Sequence, residues 1–185
     1  MQRCEYVNLD NPLYVAYHDE EWGCPLHDDR ALFELLILEG FQAGLSWECI
    51  LNKRENFRRA YEGFDPHVVA AFGEAKVAEL LADAGIVRNR RKVAASIANA
   101  QAFLRIQEEF GSFDAYIWGF TDGEVLREDY RLATSSPLSD QISRDLKRRG
   151  MNFVGTTIVY SYLQAIGVIN AHSDACDWKL RHLCP

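Results

Sequence analysis

The chain has 185 residues, of which 48% are hydrophobic and 25% charged. That is the make-up of a single globular domain, one that buries roughly 70% of its unfolded surface and folds without staples. No run approaches ~18 consecutive apolar residues, which argues against a transmembrane helix. A net charge of -7 argues against a strong non-specific grip on DNA or an anionic membrane, while leaving room for a small basic face.

Residues 1–27 read as irregular and aromatic-rich, with Tyr6, Tyr14, Tyr17 and Trp22 punctuated by Pro12 and Pro25. The opening MQRCEYVNLDNPLY has no basic segment followed by an apolar one, so no signal peptide is expected and a cytoplasmic location is. Asp28 is an N-cap for a helix over about 29–40, with Leu32, Leu35, Leu36 and Leu38 on its inner side. That helix runs into EGFQAGLSW, residues 39–47, a tight corner with one acid, one amide and two aromatics. Gly40 and Gly44 let its backbone come close to another group. A packed αα-corner with Glu39 facing solvent fits the same residues.

Ser46 caps the next helix, about 47–61. Asp65 and Pro66 form an N-cap and first helical position, opening a short helix through Phe72. Helix 74–82 stops before Ala84-Gly85. Helix 89–109 carries Val93, Ile97, Ala100 and Leu104 at helical spacing, and FDAYIWG gives a short helix over 113–119. Residues 120–137 are the least regular. Ser139 caps a helix over 139–149 ending in KRRG, the turn MNFVG follows, and an apolar helix spans about 155–167. The tail from Asn170 reads as polar and irregular. No strand-like alternation and no internal repeat are visible, so the expected class is all-α, with 1–185 as one domain.

Five cysteines, at 4, 24, 49, 176 and 184, argue against a disulfide framework in a reducing compartment. Cys4 and His18 lie in one terminal segment, and His172 and Cys176 in the other. Two cysteines and two histidines make a full tetrahedral set for structural zinc; four unrelated residues are the competing reading. Such a metal would clip the segments 1–27 and 168–185 together. Cys24, Cys49 and Cys184 read as ordinary thiols.

LKRRGMNFVGTTIVY, residues 146–160, has the form of a helix–hairpin–helix, here about 139–167. Gly150 and Gly155 close the turn around Phe153, and the N–H groups opening the next helix at Thr156 form an anion site. Lys147, Arg148 and Arg149 add positive charge. Such a hairpin holds a phosphate without reading sequence; a plain αα-hairpin is the alternative. RNRRK, residues 88–92, is a second basic cluster.

EGFQAGLSW, the two Cys/His pairs and RGMNFVGTTIVYSYLQAIG, together with YHDEEWG and KRENFRRAYEGFDP, closely resemble bacterial 3-methyladenine DNA glycosylase type I over nearly the whole chain. The resemblance implies an all-α fold of the helix–hairpin–helix glycosylase superfamily, with zinc held by Cys4, His18, His172 and Cys176. It implies a monofunctional enzyme that hydrolyses the N-glycosidic bond of 3-methyladenine in alkylated double-stranded DNA and leaves an abasic site. Glu39 maps to the pocket acid, and Tyr14, Tyr17 and Trp47 to the aromatics around the base. Trp22 lies nearby, and Tyr6 stands where the family often has tryptophan. The catalytic aspartate of the wider superfamily is missing, with Asn170 in that neighbourhood. Gly44 and Leu45 are apolar and small enough to wedge into the gap left by a flipped base, with Gln42 beside them. A monomer acting away from membranes is expected. The rival readings are a non-enzymatic zinc-containing DNA-damage binding module and a helical scaffold without nucleic acid.

Overall fold

The computed structural model describes residues 1–179, and these are mostly helical. The expected helices are present, with local differences. First, residues 12–20 are not irregular: α1 spans Pro12–Glu20, capped by Asn11, whose side chain accepts from Leu13 N. The Asn-Pro step is a helix start, but the apolar residues of α1 fall on no single stripe, so periodicity hides it. Second, the helix expected over 47–61 is broken into α3, Trp47–Leu51, and α4, Arg54–Ala60. The cause is tertiary. Asn52 accepts from Asn11 Nδ2 at 3.0 Å, and Lys53 Nζ reaches Ala84 O at 3.1 Å and Gly85 O at 3.3 Å. Third, Leu126–Arg127 (β1) and Ile169–Asn170 (β2) pair in parallel. Two-residue strands are too short to leave an alternation in sequence.

Between α1 and α3 lies α2, Asp29–Gln42, with its first turn capped by Asp28. Every residue from Leu32 to Phe41 is buried, which marks a central helix. It packs on α3 and on three later helices: α7 (Arg90–Phe110), α8 (Phe113–Trp118) and α10 (Thr156–Ala165). Short helices α5 (Pro66–Ala70) and α6 (Glu74–Ala82) lie against α7. The core is aromatic: Phe103 stacks on Phe113 at 4.2 Å and meets Phe33 edge-on at 5.0 Å.

Helix α9, Pro137–Arg148, begins earlier than expected because Ser136 is its cap. Ser139 occupies the third helical position of a capping box, accepting from Ser136 N at 2.8 Å while Ser136 Oγ accepts from Ser139 N at 3.1 Å. The α10 end packs on the N-terminal segment: Gly23 N donates to Gln164 O at 2.9 Å and Leu26 N to Ile166 O at 3.0 Å. Gly167, at φ +75°, lies so close that a Cβ there would meet the Cys24 carbonyl carbon at 2.2 Å. The N-terminal segment also pairs with the tail, Gln2 N to Asp177 Oδ2 at 2.8 Å and Asp177 N to Gln2 O at 2.9 Å. Cys24 is disulfide-bonded, contrary to its reading as an ordinary thiol, whereas Cys49 is free. Cys184 and the end of the expected 168–185 segment fall outside the described residues. Among the described residues no helix is long and apolar enough to cross a membrane.

Candidate functional site

A cleft of about 260 Å³ opens between α1, the end of α2, the start of α3, the loop after β1 and one face of α10. It is smaller than the ~300–1,000 Å³ typical of drug-sized ligands, the scale of one base. Tyr6, Tyr14, Tyr17, Trp22, Glu39 and Trp47 all line it, and so does Gln42, which sequence placed only at the corner. Tyr17 and Trp47 lie 5.2 Å apart, centroid to centroid. Tyr6 meets Trp22 edge-on at 5.2 Å and Tyr130 at 4.9 Å. Among the described residues the buried Tyr6 hydroxyl and Trp47 Nε1 have no hydrogen-bond partner, so both remain available to a guest.

Sequence reasoning missed Tyr130, Tyr160 and Gln164, which complete the cleft. Tyr130 sits in the stretch with no regular pattern. The α10 face did leave a signal: Thr157, Tyr160, Ser161 and Gln164 recur at helical spacing in an otherwise apolar helix. Tyr160 is held from behind, its hydroxyl donating to the Glu128 carboxylate.

Glu39 is 4% exposed. Burial alone raises its carboxyl from 4.5 to about 8, because no neighbouring cation or hydrogen-bond donor compensates among the described residues. The empty cleft therefore holds a mostly neutral acid at pH 7, and a cationic guest would draw it into the charged form.

Beyond Glu39 the chain turns sharply. Gly44 adopts φ +78°, Leu45 N donates to Gln42 O at 2.7 Å, and Gln42 Nε2 donates to Leu45 O at 2.6 Å. Leu45 is 39% exposed at the tip. The buried Lys92 of α7 donates to Phe41 O at 2.8 Å and to Ala43 O at 2.6 Å.

The α9–α10 hairpin turns through Gly150 at φ +95° and Phe153 at φ +55°, an unusual conformation for a bulky residue. Its neighbours hold it there. Asn99 donates to Asn152 O at 2.9 Å and accepts from Asn152 N at 2.8 Å, and Ser143 Oγ donates to Val154 O at 2.7 Å. Gly155 caps α10 with no side-chain bond, which leaves first-turn N–H groups available. The Thr156 hydroxyl, by contrast, is 2.8 Å from Ser139 Oγ. The basic end is smaller than its sequence suggests. Arg149 is held between Glu109 and Asp145, each at 2.6 Å, and Arg148 by Asp145, while Lys147 has no ion pair among the described residues.

Cys4, His18 and Cys176 bring their ligating atoms within 4.8 Å of one another and could hold a metal ion. The ring of His172 lies 4.9 Å from that of His18, and its buried Nε2 has no partner among the described residues. Both histidines have Nδ1 engaged: His18 with Asp19 Oδ1 at 2.8 Å, His172 with Asn170 Oδ1 at 2.9 Å. That is the outer support typical of metal-binding imidazoles. Burial lowers both histidines, His172 to about 4, so each is neutral and able to ligate. Asn170 is thus engaged with His172, and Asp174 is exposed and ion-paired to Lys179 at 2.9 Å. Trp22 lies 4.6 Å from the His172 ring, so the cleft wall and the Cys/His cluster share a face.

The family profile described as methyladenine glycosylase matches residues 7–180. The chain is 47% identical to DNA-3-methyladenine glycosylase 1 of Escherichia coli (strain K12), over 95% of this chain and 96% of that protein. It superposes on 3-methyladenine DNA glycosylase I from Staphylococcus aureus, a structure described as showing the basis of 3-methyladenine recognition. That match has a TM-score of 0.93 at 36% identity and covers 99% of each chain. It also matches a variant of 3-methyladenine DNA glycosylase I in complex with 3-methyladenine, with a TM-score of 0.93 at 36% identity, over 99% of this chain and 100% of that one. With sequence, fold and cleft in agreement, the chain belongs to the methyladenine glycosylase family.

Proposed function

We propose that the chain is a monofunctional, monomeric, cytoplasmic DNA glycosylase that flips 3-methyladenine out of alkylated duplex and hydrolyses its N-glycosidic bond. The observation that carries this reading is the buried Glu39 carboxyl inside an aromatic cleft of one-base size, on the helix that leads into the exposed apolar tip at Leu45. A base inside a duplex is out of reach and must leave the stack at a cost of a few kcal/mol. Leu45 and Gly44 fill the gap, with Gln42 fixing their turn. Gly150, Phe153, Gly155 and Thr156 belong to the hairpin that holds the backbone by main-chain N–H groups.

The methylated base in DNA is cationic. Tyr17 and Trp47 supply stacking and cation–π attraction that neutral adenine lacks, while Tyr6, Tyr14 and Trp22 enclose it. Glu39 ionises as the cation enters and accepts from its exocyclic amine. Because these groups also stabilise the bound ground state, they serve selectivity and flipping more than bond breaking. The glycosidic electron pair leaves with the base, which becomes neutral, and water adds to the sugar cation. With the base cation gone, burial again favours the protonated acid, so Glu39 can accept the proton that the water releases. No lysine nucleophile is required.

The metal reading is structural zinc on Cys4, His18, His172 and Cys176. Tetrahedral zinc with ligands at ~2.1 Å (N) and ~2.3 Å (S) puts nitrogen and sulfur about 3.6 Å apart, and Cys176 Sγ lies 3.6 Å from His18 Nε2. Four protein ligands leave no open position for water, so the ion would fix the two terminal segments and take no part in the chemistry.

The test is release of free base from alkylated DNA. The chain should release 3-methyladenine, and Glu39→Gln should slow release by about tenfold or more. Binding of alkylated duplex with no base released would instead identify a non-enzymatic damage-binding module.

A further inference from the structure

Three successive carbonyls end α2, and each has a partner. Gln42 O takes Leu45 N within the turn. Phe41 O and Ala43 O, on either side, both take Lys92 Nζ, from 51 and 49 residues away. Lys92 is 7% exposed. A buried ammonium is costly unless its donors are satisfied, and this one forms no ion pair among the described residues. Its charge faces the negative end of the helix that carries Glu39. The same Nζ lies 5.9 Å from the ring centroid of Phe153 at the hairpin turn. Two turns further along α7, Asn99 holds the hairpin backbone at Asn152, and Phe153 packs against Gly40 of α2.

We propose that Lys92 is a positioning residue for base flipping: its ammonium fixes the Gly44–Leu45 tip against the α9–α10 hairpin, so wedge and backbone grip meet the duplex in one register. The inference rests on the DNA-glycosylase reading above. A lysine suits the place because it is a compact charge with three donors. Two converge on carbonyls and the third side faces an aromatic ring. Lys92 does not line the cleft, so it acts through the corner and touches no base.

The experiment compares base release by wild type and Lys92→Met under single turnover on two substrates. Both carry a methylated adenine, one paired with thymine and one opposite no base. Losing the tip's register should slow release from the paired duplex by about tenfold or more. Release from the unpaired base should change less than about threefold, because that base needs little help to leave the stack. Lys92→Met and Leu45→Ala should also be non-additive, since both act through one tip. Equal losses on the two substrates, additive losses, or no loss would overturn the proposal. Should Lys92→Met not fold, Lys92→Arg is measured in the same way, with loss confined to the paired duplex supporting the proposal and equal or no loss overturning it. Wild type is the control for the underlying reading: if it releases no base from either substrate, the glycosylase assignment fails, whatever the variants do.

Discussion

Among the described residues Glu39 is the one acid in the cleft wall, and its isolation has a measurable thermodynamic cost. In the fold its carboxyl holds a proton up to about pH 8, whereas its ordinary value is 4.5. Between those values the folded state binds a proton that the unfolded chain has lost. Stability therefore falls as pH rises through this window, by about 1.4 kcal/mol per pH unit. Across the window the contribution is on the order of 5 kcal/mol: fully present below about pH 4.5 and gone above about pH 8. Glu39→Gln keeps the shape and removes the titration. The variant should match wild type near pH 4.5 and grow steadily more stable than it towards pH 8.5. For a chain of this length each kcal/mol is worth roughly 2–4 °C in Tm, so even half the effect gives a difference of about 5–10 °C. Thermal melts of the two proteins from pH 4.5 to 9, taken as a difference, cancel every other titrating group. Parallel curves, differing by less than about 1 kcal/mol in slope over the window, would show that Glu39 is not isolated as described.

The metal reading predicts close to one zinc per purified chain. Chelation or Cys176→Ser should lower Tm by well over 10 °C, since structural zinc contributes on the order of 10 kcal/mol in small peptides; under about half an equivalent of zinc would refute it. Leu45→Ala should leave stability within about 0.5 kcal/mol, because Leu45 is a solvent-facing tip, and should leave affinity for free 3-methyladenine unchanged. Release of base from duplex should fall, and an unaltered rate would remove Leu45 from the wedge. Gly167→Ala places a methyl 2.2 Å from the Cys24 carbonyl carbon at φ +75°, so chemical denaturation should show a loss of about 3 kcal/mol or more.

Most of the helical frame was legible because caps and apolar spacing are local. Asp28, Ser46 and Asp65 each cap the helix expected after them. What was not legible depends on distant partners. The break at Asn52-Lys53 comes from Asn11, Ala84 and Gly85. The β1–β2 pairing joins residues 126–127 to 169–170 and is too short to show a period. The corner and the N-terminal aromatics stand out in the sequence, the resemblance gives them roles, and the cleft brings the aromatics together with Glu39, Gln42 and Trp47. Tyr130 was missed because its loop has no period, and the neutralised Arg148 and Arg149 were overcounted because their helical neighbour Asp145 was passed over and Glu109 comes beside Arg149 only after folding.

The joined termini have a consequence for synthesis. Gln2 pairs with Asp177, and the Trp22 wall of the cleft leans on His172. The residues that back the N-terminal side of the cleft follow all the helices among the described residues. During translation α1 and α2 therefore leave the ribosome with Trp22 lacking its His172 neighbour until residues 170–178 emerge. An N-terminal wall that waits for a partner made about 150 residues later is exposed to chaperones and proteases in the interval. Truncation before His172 should thus yield a chain that keeps much of its helix content but is degraded as an unfinished product.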